Sequence, residues 1–74
     1  MLEKIQAIIF EVTGKKGVTY DTDLVQDLGL NSFDVMNIIG MAEEMFDISI
    51  PTRDVWKMRT IHDVLEYLSS KGIS

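Results

Sequence analysis

Apolar residues recur at helical spacing in three stretches of the chain and lose that spacing between the first and second. Leu2, Ile5, Ile8, Ile9 and Val12 fall on one helical face, and Gly14 offers a stop. The pattern predicts a first helix over residues 2–14. From Gly17 to Asn31 the period disappears, which predicts a long loop, a feature that is uncommon in a small domain and often functional. Val18, Tyr20, Leu24, Val25 and Leu28 are its expected anchors to the core. The period returns near Ser32. There Val35, Ile38, Ile39, Ala42, Met45 and Phe46 share one face, while Asp34, Asn37, Glu43 and Glu44 fall largely away from it. Gly40 sits inside this second helix at a cost of ~1 kcal/mol relative to alanine.

Beyond it, Ile48 and Ile50 alternate with Asp47 and Ser49 in a short extended piece that Pro51 closes, and residues 53–58 suit a brief helix. Thr60 is a good N-cap for a last helix, with Asp63 three residues on as a shortened capping box. Ile61, Val64, Leu65 and Leu68 supply its stripe, and Gly72 follows its end. The expected architecture is all-α: a four-helix bundle with a long first loop and a short third helix, residues 1–74 forming one domain.

Size narrows the chemistry available to such a bundle. A chain of 74 residues buries only about 60% of the surface its unfolded form exposes, which disfavours an internal active-site cleft. There is no cysteine, so disulfides, thiolate zinc sites and a cysteine nucleophile are all excluded. No stretch has the layout of a signal peptide, and no apolar run approaches the ~20 residues of a membrane span. These features lead to the expectation of a cytoplasmic monomer that does not insert into membranes.

Charge is distributed unevenly. The net charge is −5, but residues 17–52 hold Asp21, Asp23, Asp27, Asp34, Glu43, Glu44 and Asp47 with no lysine or arginine. Seven uncompensated acids would repel a phosphate backbone, so nucleic acid is not an expected partner, whereas a protein with a basic patch would be drawn in. A solubilising acidic face is the plainer alternative. The basic residues Arg53, Lys57 and Arg59 cluster further on, where they either select a partner or are simply solvated.

The run Asp27-Leu28-Gly29-Leu30-Asn31-Ser32-Phe33-Asp34 places a serine where a loop turns into a helix. Backbone N–H groups without partners and the helix dipole favour a phosphate group at such a point. Gly29 would let the backbone turn tightly before the helix. Plain N-capping is the competing reading of Ser32. A serine hydrolase is poorly supported, because the only histidine, His62, lies on the predicted last helix and no Gly-x-Ser-x-Gly elbow is present. His62 is expected to be exposed and without a partner at metal-ligand spacing, and no metal site is expected.

That same run resembles the phosphopantetheine attachment motif of acyl carrier proteins. The segment Met41-Ala42-Glu43-Glu44-Met45-Phe46-Asp47-Ile48-Ser49-Ile50-Pro51 is similar to the end of that family's second helix and the loop after it. Residues 60–68 are similar to its last helix, so the resemblance covers essentially the whole chain. It implies a four-helix bundle that carries a covalent 4′-phosphopantetheine on Ser32 and performs no catalysis itself. A phosphopantetheinyl transferase would install the arm from coenzyme A using magnesium, and the arm's thiol would hold acyl or aminoacyl cargo as a thioester. Further partners implied are an acyl- or aminoacyl-activating ligase, an acyltransferase or a ketosynthase. The partner-facing positions implied are Asn31, Phe33, Asp34, Asn37, Gly40, Met41 and Glu44.

The chain departs from the family pattern at informative places. Asn31 stands where aspartate is usual and Phe33 where leucine is usual, and Phe33 is expected to be exposed beside the arm. Asn37 and Gly40 replace a glutamate and a bulky apolar residue typical of fatty-acid carriers, which makes general fatty-acid synthesis less secure and a dedicated pathway more attractive; the pathway expected is a fatty-acid, polyketide or dedicated biosynthetic one. Arg53-Asp54-Val55-Trp56, with Ser32-Phe33, also resembles D-alanyl carrier proteins, so a D-alanyl or peptidyl/aminoacyl carrier is the alternative. A more distant alternative is an unmodified helical interaction module. Trp56 is expected as a core anchor, and Met36, Met41, Met45 and Met58 as flexible packing that could open for an acyl chain.

Overall fold

A computed structural model describes residues 1–73, which form four helices and no strand. Helix α1 spans Leu2–Thr13, α2 Ser32–Phe46, α3 Thr52–Val55 and α4 Ile61–Ser70. Ile5, Ile8 and Ile9 of α1, Val35, Ile39 and Ala42 of α2, and Ile61 and Leu68 of α4 are buried together. Lys4 Nζ lies 5.9 Å from the centre of the Phe46 ring, which sets the start of α1 against the end of α2. These two helices therefore run antiparallel.

Helix α1 stops as its sequence implies. Gly14 adopts φ 73°, and its N–H donates to Phe10 O at 2.8 Å; a side chain at that backbone angle would be strained. Helix α2 ends with Asp47 in the same left-handed region at φ 54°. There the Ile50 N–H donates to Glu43 Oε2 at 2.8 Å, tying the chain back to α2. Ile48 is half-buried and Ile50 buried between exposed Asp47 and Ser49, as the alternation predicts.

The segment from Gly17 to Asn31 contains no helix, yet it is extensively bonded. Val18, Leu24 and Leu28 are buried as expected, and Leu30 joins them. Tyr20 and Val25 are instead 51% and 60% exposed. The turn at residues 24–28 explains Val25: Leu24 and Leu28, four apart, both point inward and leave Val25 outside. Tyr20 contributes only its backbone, its carbonyl accepting from His62 N–H at 2.9 Å. An isolated antiparallel bridge pairs Asp23 with Thr60, and Leu24 N–H donates to Arg59 O at 2.8 Å. The loop is thus joined to the chain entering α4.

Three further expectations are corrected. The third helix is Thr52–Val55, shorter than the 53–58 stretch, because Trp56 and Lys57 already form a turn. Trp56 is 54% exposed and does not anchor the core; Val55 beside it does, at 2%. Met45 leaves the apolar face of α2 and is 50% exposed, lying about 60° around the helix from buried Ala42. With Met36 also exposed, only two of those four methionines, Met41 and Met58, pack against the core, and no methionine is among its fully buried residues.

Candidate functional site

The start of α2 is built by two residues before the serine. Gly29 takes φ 64°, a turn that suits glycine, and its N–H donates to Val25 O at 2.9 Å. Leu30 then drops into the core, and the chain rises into the helix. Asn31 is extended and is the N-cap: its Oδ1 accepts from Asp34 N–H at 2.8 Å. Capping therefore falls to Asn31, and Ser32 is the first helical residue. The Ser32 side chain is exposed and makes no hydrogen bond among the described residues.

Four N–H groups at a helix start lack intrahelical partners. Here those are the groups of Asn31, Ser32, Phe33 and Asp34; the Asn31 side chain serves that of Asp34, and the regular helical bonding begins with Val35 N–H donating to the Asn31 carbonyl at 3.0 Å. The N–H groups of Ser32 and Phe33 have no partner among the described residues. An exposed hydroxyl beside two bare donors at the positive end of a 15-residue helix suits an attached phosphodiester.

The other candidate residues run along the outer side of α2. Phe33 is 63% exposed, as expected, and Asn37 and Glu44 are exposed. Asp34, Gly40 and Met41 are half-buried, and Met41 also packs against the core. Phe33, Asn37, Gly40 and Glu44 recur every three or four residues and share one stripe. A Cβ built on Gly40 would meet nothing within 4 Å, so packing does not require the glycine there. Met36, 40% exposed and three residues from Phe33, extends this surface; sequence reading missed it by assigning it to the interior.

The acidic segment is less uncompensated than its sequence suggests. Asp23 Oδ2 lies 3.3 Å from Arg59 Nη2, and Asp23 Oδ1 accepts from Val25 and Gln26 N–H. The Gln26 and Val25 hydrogen bonds, with Arg59 adding its charge, hold the Asp23 carboxyl below its ordinary value. Asp27 accepts from Asp23 N–H, and Glu43 from Ile50 N–H. Three of the seven acids thus hold the fold together; of the other acids on α2, Asp34 lies in the first turn with Ser32 and Glu44 about 18 Å further along the helix.

His62 is exposed as expected, but it does have a partner: its Nδ1 is 3.1 Å from Glu66 Oε1, one helical turn on. Asp63 completes a trio within 4.8 Å. Its Oδ2 already accepts from Arg59 and Thr60 N–H, which lowers the Asp63 pKa and occupies that oxygen in the cap.

Comparisons with known proteins identify the family and the fold. The family model for the phosphopantetheine attachment site matches residues 3–68. An acyl carrier protein of Bdellovibrio bacteriovorus is 37% identical over 71 residues, covering 93% of this chain and 91% of that protein. One from Syntrophobacter fumaroxidans is 38% identical over 71 residues, covering 93% and 88%. Among solved structures, a candidate acyl carrier protein of Mycobacterium tuberculosis superposes with a TM-score of 0.87 at 33% identity, over 93% of this chain and 95% of that one. An acyl carrier protein of Thermotoga maritima gives 0.81 at 25% identity, over 95% and 84%.

Proposed function

The chain belongs to the phosphopantetheine-attachment family of acyl carrier proteins, and from that premise we propose that Ser32 is the attachment point. One observation carries the assignment: the Ser32 hydroxyl stands exposed and unbonded at the first position of α2, while Asn31 does the capping.

The family's cofactor is a covalent 4′-phosphopantetheine, whose terminal thiol holds cargo as a thioester. It brings reactive sulfur to a chain without cysteine. In the loading step the Ser32 oxygen attacks the phosphorus of coenzyme A that bears the pantetheine. The phosphoanhydride bond breaks, and the adenosine bisphosphate leaves while the serine proton passes to the transferase. The chain's own part is to present the oxygen. Helix α2 fixes its position, and the Ser32 and Phe33 N–H groups favour the negative charge that arrives. Catalysis belongs to the transferase and to the enzymes that load and unload the thiol, and residues 1–74 serve as one carrier domain in the cytoplasm.

Partners would read the stripe of Phe33, Asn37, Gly40 and Glu44, with Asn31, Asp34 and Met41 at its edges. Met36 widens the apolar part. An aromatic ring beside the arm and a gap at Gly40 suit a ligase or acyltransferase of a dedicated pathway, with acyl or aminoacyl cargo.

The test is to incubate the protein with coenzyme A, magnesium and a broad-specificity phosphopantetheinyl transferase, then compare intact masses with Ser32→Ala. One phosphopantetheine added to the wild type alone is the expected result. Addition to both would move the attachment point elsewhere. Addition to neither, with two unrelated transferases and a folded protein, would overturn the assignment and favour an unmodified interaction module.

A further inference from the structure

His62, Asp63 and Glu66 form a cluster of titratable side chains on α4, a different helix from the one that carries Ser32. Glu66 is four residues from His62 and three from Asp63, so it neighbours both on the helix surface. One donor atom from each residue lies within 4.8 Å of the other two. The closest pair, His62 Nδ1 and Glu66 Oε1, is 3.1 Å apart. Donors at ~2.0–2.1 Å from a tetrahedral zinc ion are about 3.3–3.4 Å from each other, so this pair already stands near chelating distance.

The backbone beneath the cluster is fixed. His62 N–H donates to Tyr20 O at 2.9 Å, and Asp63 N–H donates to Thr60 Oγ1 at 3.2 Å. Asp63 Oδ2 accepts from the Arg59 and Thr60 N–H groups, which holds the carboxylate in one orientation. Its Oδ1 has no hydrogen bond among the described residues. The cations nearest in sequence are engaged elsewhere: the Arg59 guanidinium faces Asp23, and the Lys57 ammonium faces Asp54. No lysine or arginine pairs with Asp63 or Glu66 among the described residues. Two carboxylates thus stand beside an imidazole with no fixed cation between them, on a chain of net charge −5 whose field draws small cations in.

We propose that His62, Asp63 and Glu66 form a binding site for a divalent transition-metal ion such as zinc(II), held by one nitrogen and two oxygens. The donor set chooses the class of ion. An imidazole suits zinc, nickel or copper, whereas magnesium and calcium take oxygen donors. The His62 and Glu66 side chains are exposed, and three protein donors leave a further position open to water. A bound ion clasps the first two turns of α4, where the long loop is joined, and so steadies that end of the fold. The site is independent of the arm at Ser32.

The test titrates zinc chloride into the metal-free full chain while proton spectra are recorded. His62 is the only histidine, so its ring protons report on the site alone. They should shift saturably with zinc and stay in place with magnesium chloride at the same concentrations. With free zinc at about ten times its dissociation constant, the melting temperature should rise by roughly 6–11 °C. His62→Ala and Glu66→Gln, followed by calorimetry, should each bind zinc at least about tenfold more weakly. Both change exposed side chains, and their metal-free melting temperatures should stay near that of wild type. Equal zinc affinity in wild type and both variants would place the ion elsewhere and overturn the site. So would the absence of a saturable ring shift, or magnesium binding as tightly as zinc. Ser32→Ala should bind zinc as wild type does, which keeps this result separate from the loading experiment.

Discussion

At the start of α4, Thr60 Oγ1 accepts from Asp63 N–H while Asp63 Oδ2 accepts from the N–H groups of Thr60 and Arg59. The same stretch is joined to the long loop through Leu24, Thr22 and Tyr20. At the start of α2, Asn31 makes the side-chain cap, and the Ser32 hydroxyl beside it has no hydrogen bond among the described residues. Both sites look alike in composition, with hydroxyls, amides and carboxylates where a loop becomes a helix. Only one is saturated. A group engaged in several hydrogen bonds is held for structure, whereas a hydroxyl left exposed and unbonded is available for chemistry. The contrast makes Ser32 the better candidate for modification than Thr60, although either residue type can be modified.

The largest test of the contrast sets Ser32→Ala against Ile61→Ala, one residue inside each helix start. Removing the Ser32 hydroxyl should abolish phosphopantetheine loading and leave stability within about 0.5 kcal/mol, as at exposed positions without partners. Ile61 is 0% exposed. Its truncation should cost ~2–5 kcal/mol, enough to unfold much of so small a domain. Chemical denaturation of both variants beside the loading assay checks this pair. A Ser32→Ala variant that lost several kcal/mol would show that the hydroxyl has a structural role.

Asp63→Ala should have a smaller effect, about 1 kcal/mol at neutral pH, the usual range for a lost cap. Its carboxyl is held below the ordinary 3.8 by the Arg59 and Thr60 N–H groups, and Asp23 is lowered chiefly by the Gln26 N–H. A depressed carboxyl gives stability that is present above its unfolded value and lost as pH falls through the folded one. Wild type should therefore weaken below pH 3.8, and Asp63→Ala should show a shallower decline there. Urea midpoints across the acid range measure the slope. Loading at Ser32 should be unchanged at neutral pH.

Much of this was legible in the chain. The spacing of Ile5, Ile8 and Ile9, the stop at Gly14 and the Thr60–Asp63 box are local signals, and the structure carries each as read. The return of the apolar period placed the start of α2 near Ser32, where the helix begins. What was not legible depended on neighbours distant in sequence. Trp56 and Val55 are adjacent and both apolar; only the turn after α3 decides that Val55 faces inward. Val25 and Tyr20 look like loop anchors until the bonds to Asp23 and His62 fix which way the backbone faces. Met36 and Met45 fit a core by hydrophobicity alone, and both are exposed on α2. Asp23 counted as an uncompensated acid because Arg59 is 36 residues away in the chain.

The smallest expected effect concerns that same Arg59, and it separates backbone from side chain in holding the loop. The Arg59 backbone N–H donates to Asp63 and its carbonyl accepts from Leu24, bonds that any non-proline residue would keep. Its guanidinium reaches Asp23 at 3.3 Å, but the arginine side chain is 70% exposed and solvent screens the pair. Exposed pairs of this kind contribute about 0.2–1 kcal/mol. Arg59→Ala should therefore lower the melting temperature by roughly 1–8 °C at low salt for a domain of this size. The difference from wild type should shrink at ~1 M salt, where charges are screened within about 3 Å. If Arg59→Ala instead cost as much as Asp63→Ala at every salt concentration, the loop would be held by the ion pair rather than by the backbone bonds around it. The start of α4 would then owe its rigidity to charge, and the acids of residues 17–52 would need recounting as structural rather than partner-facing.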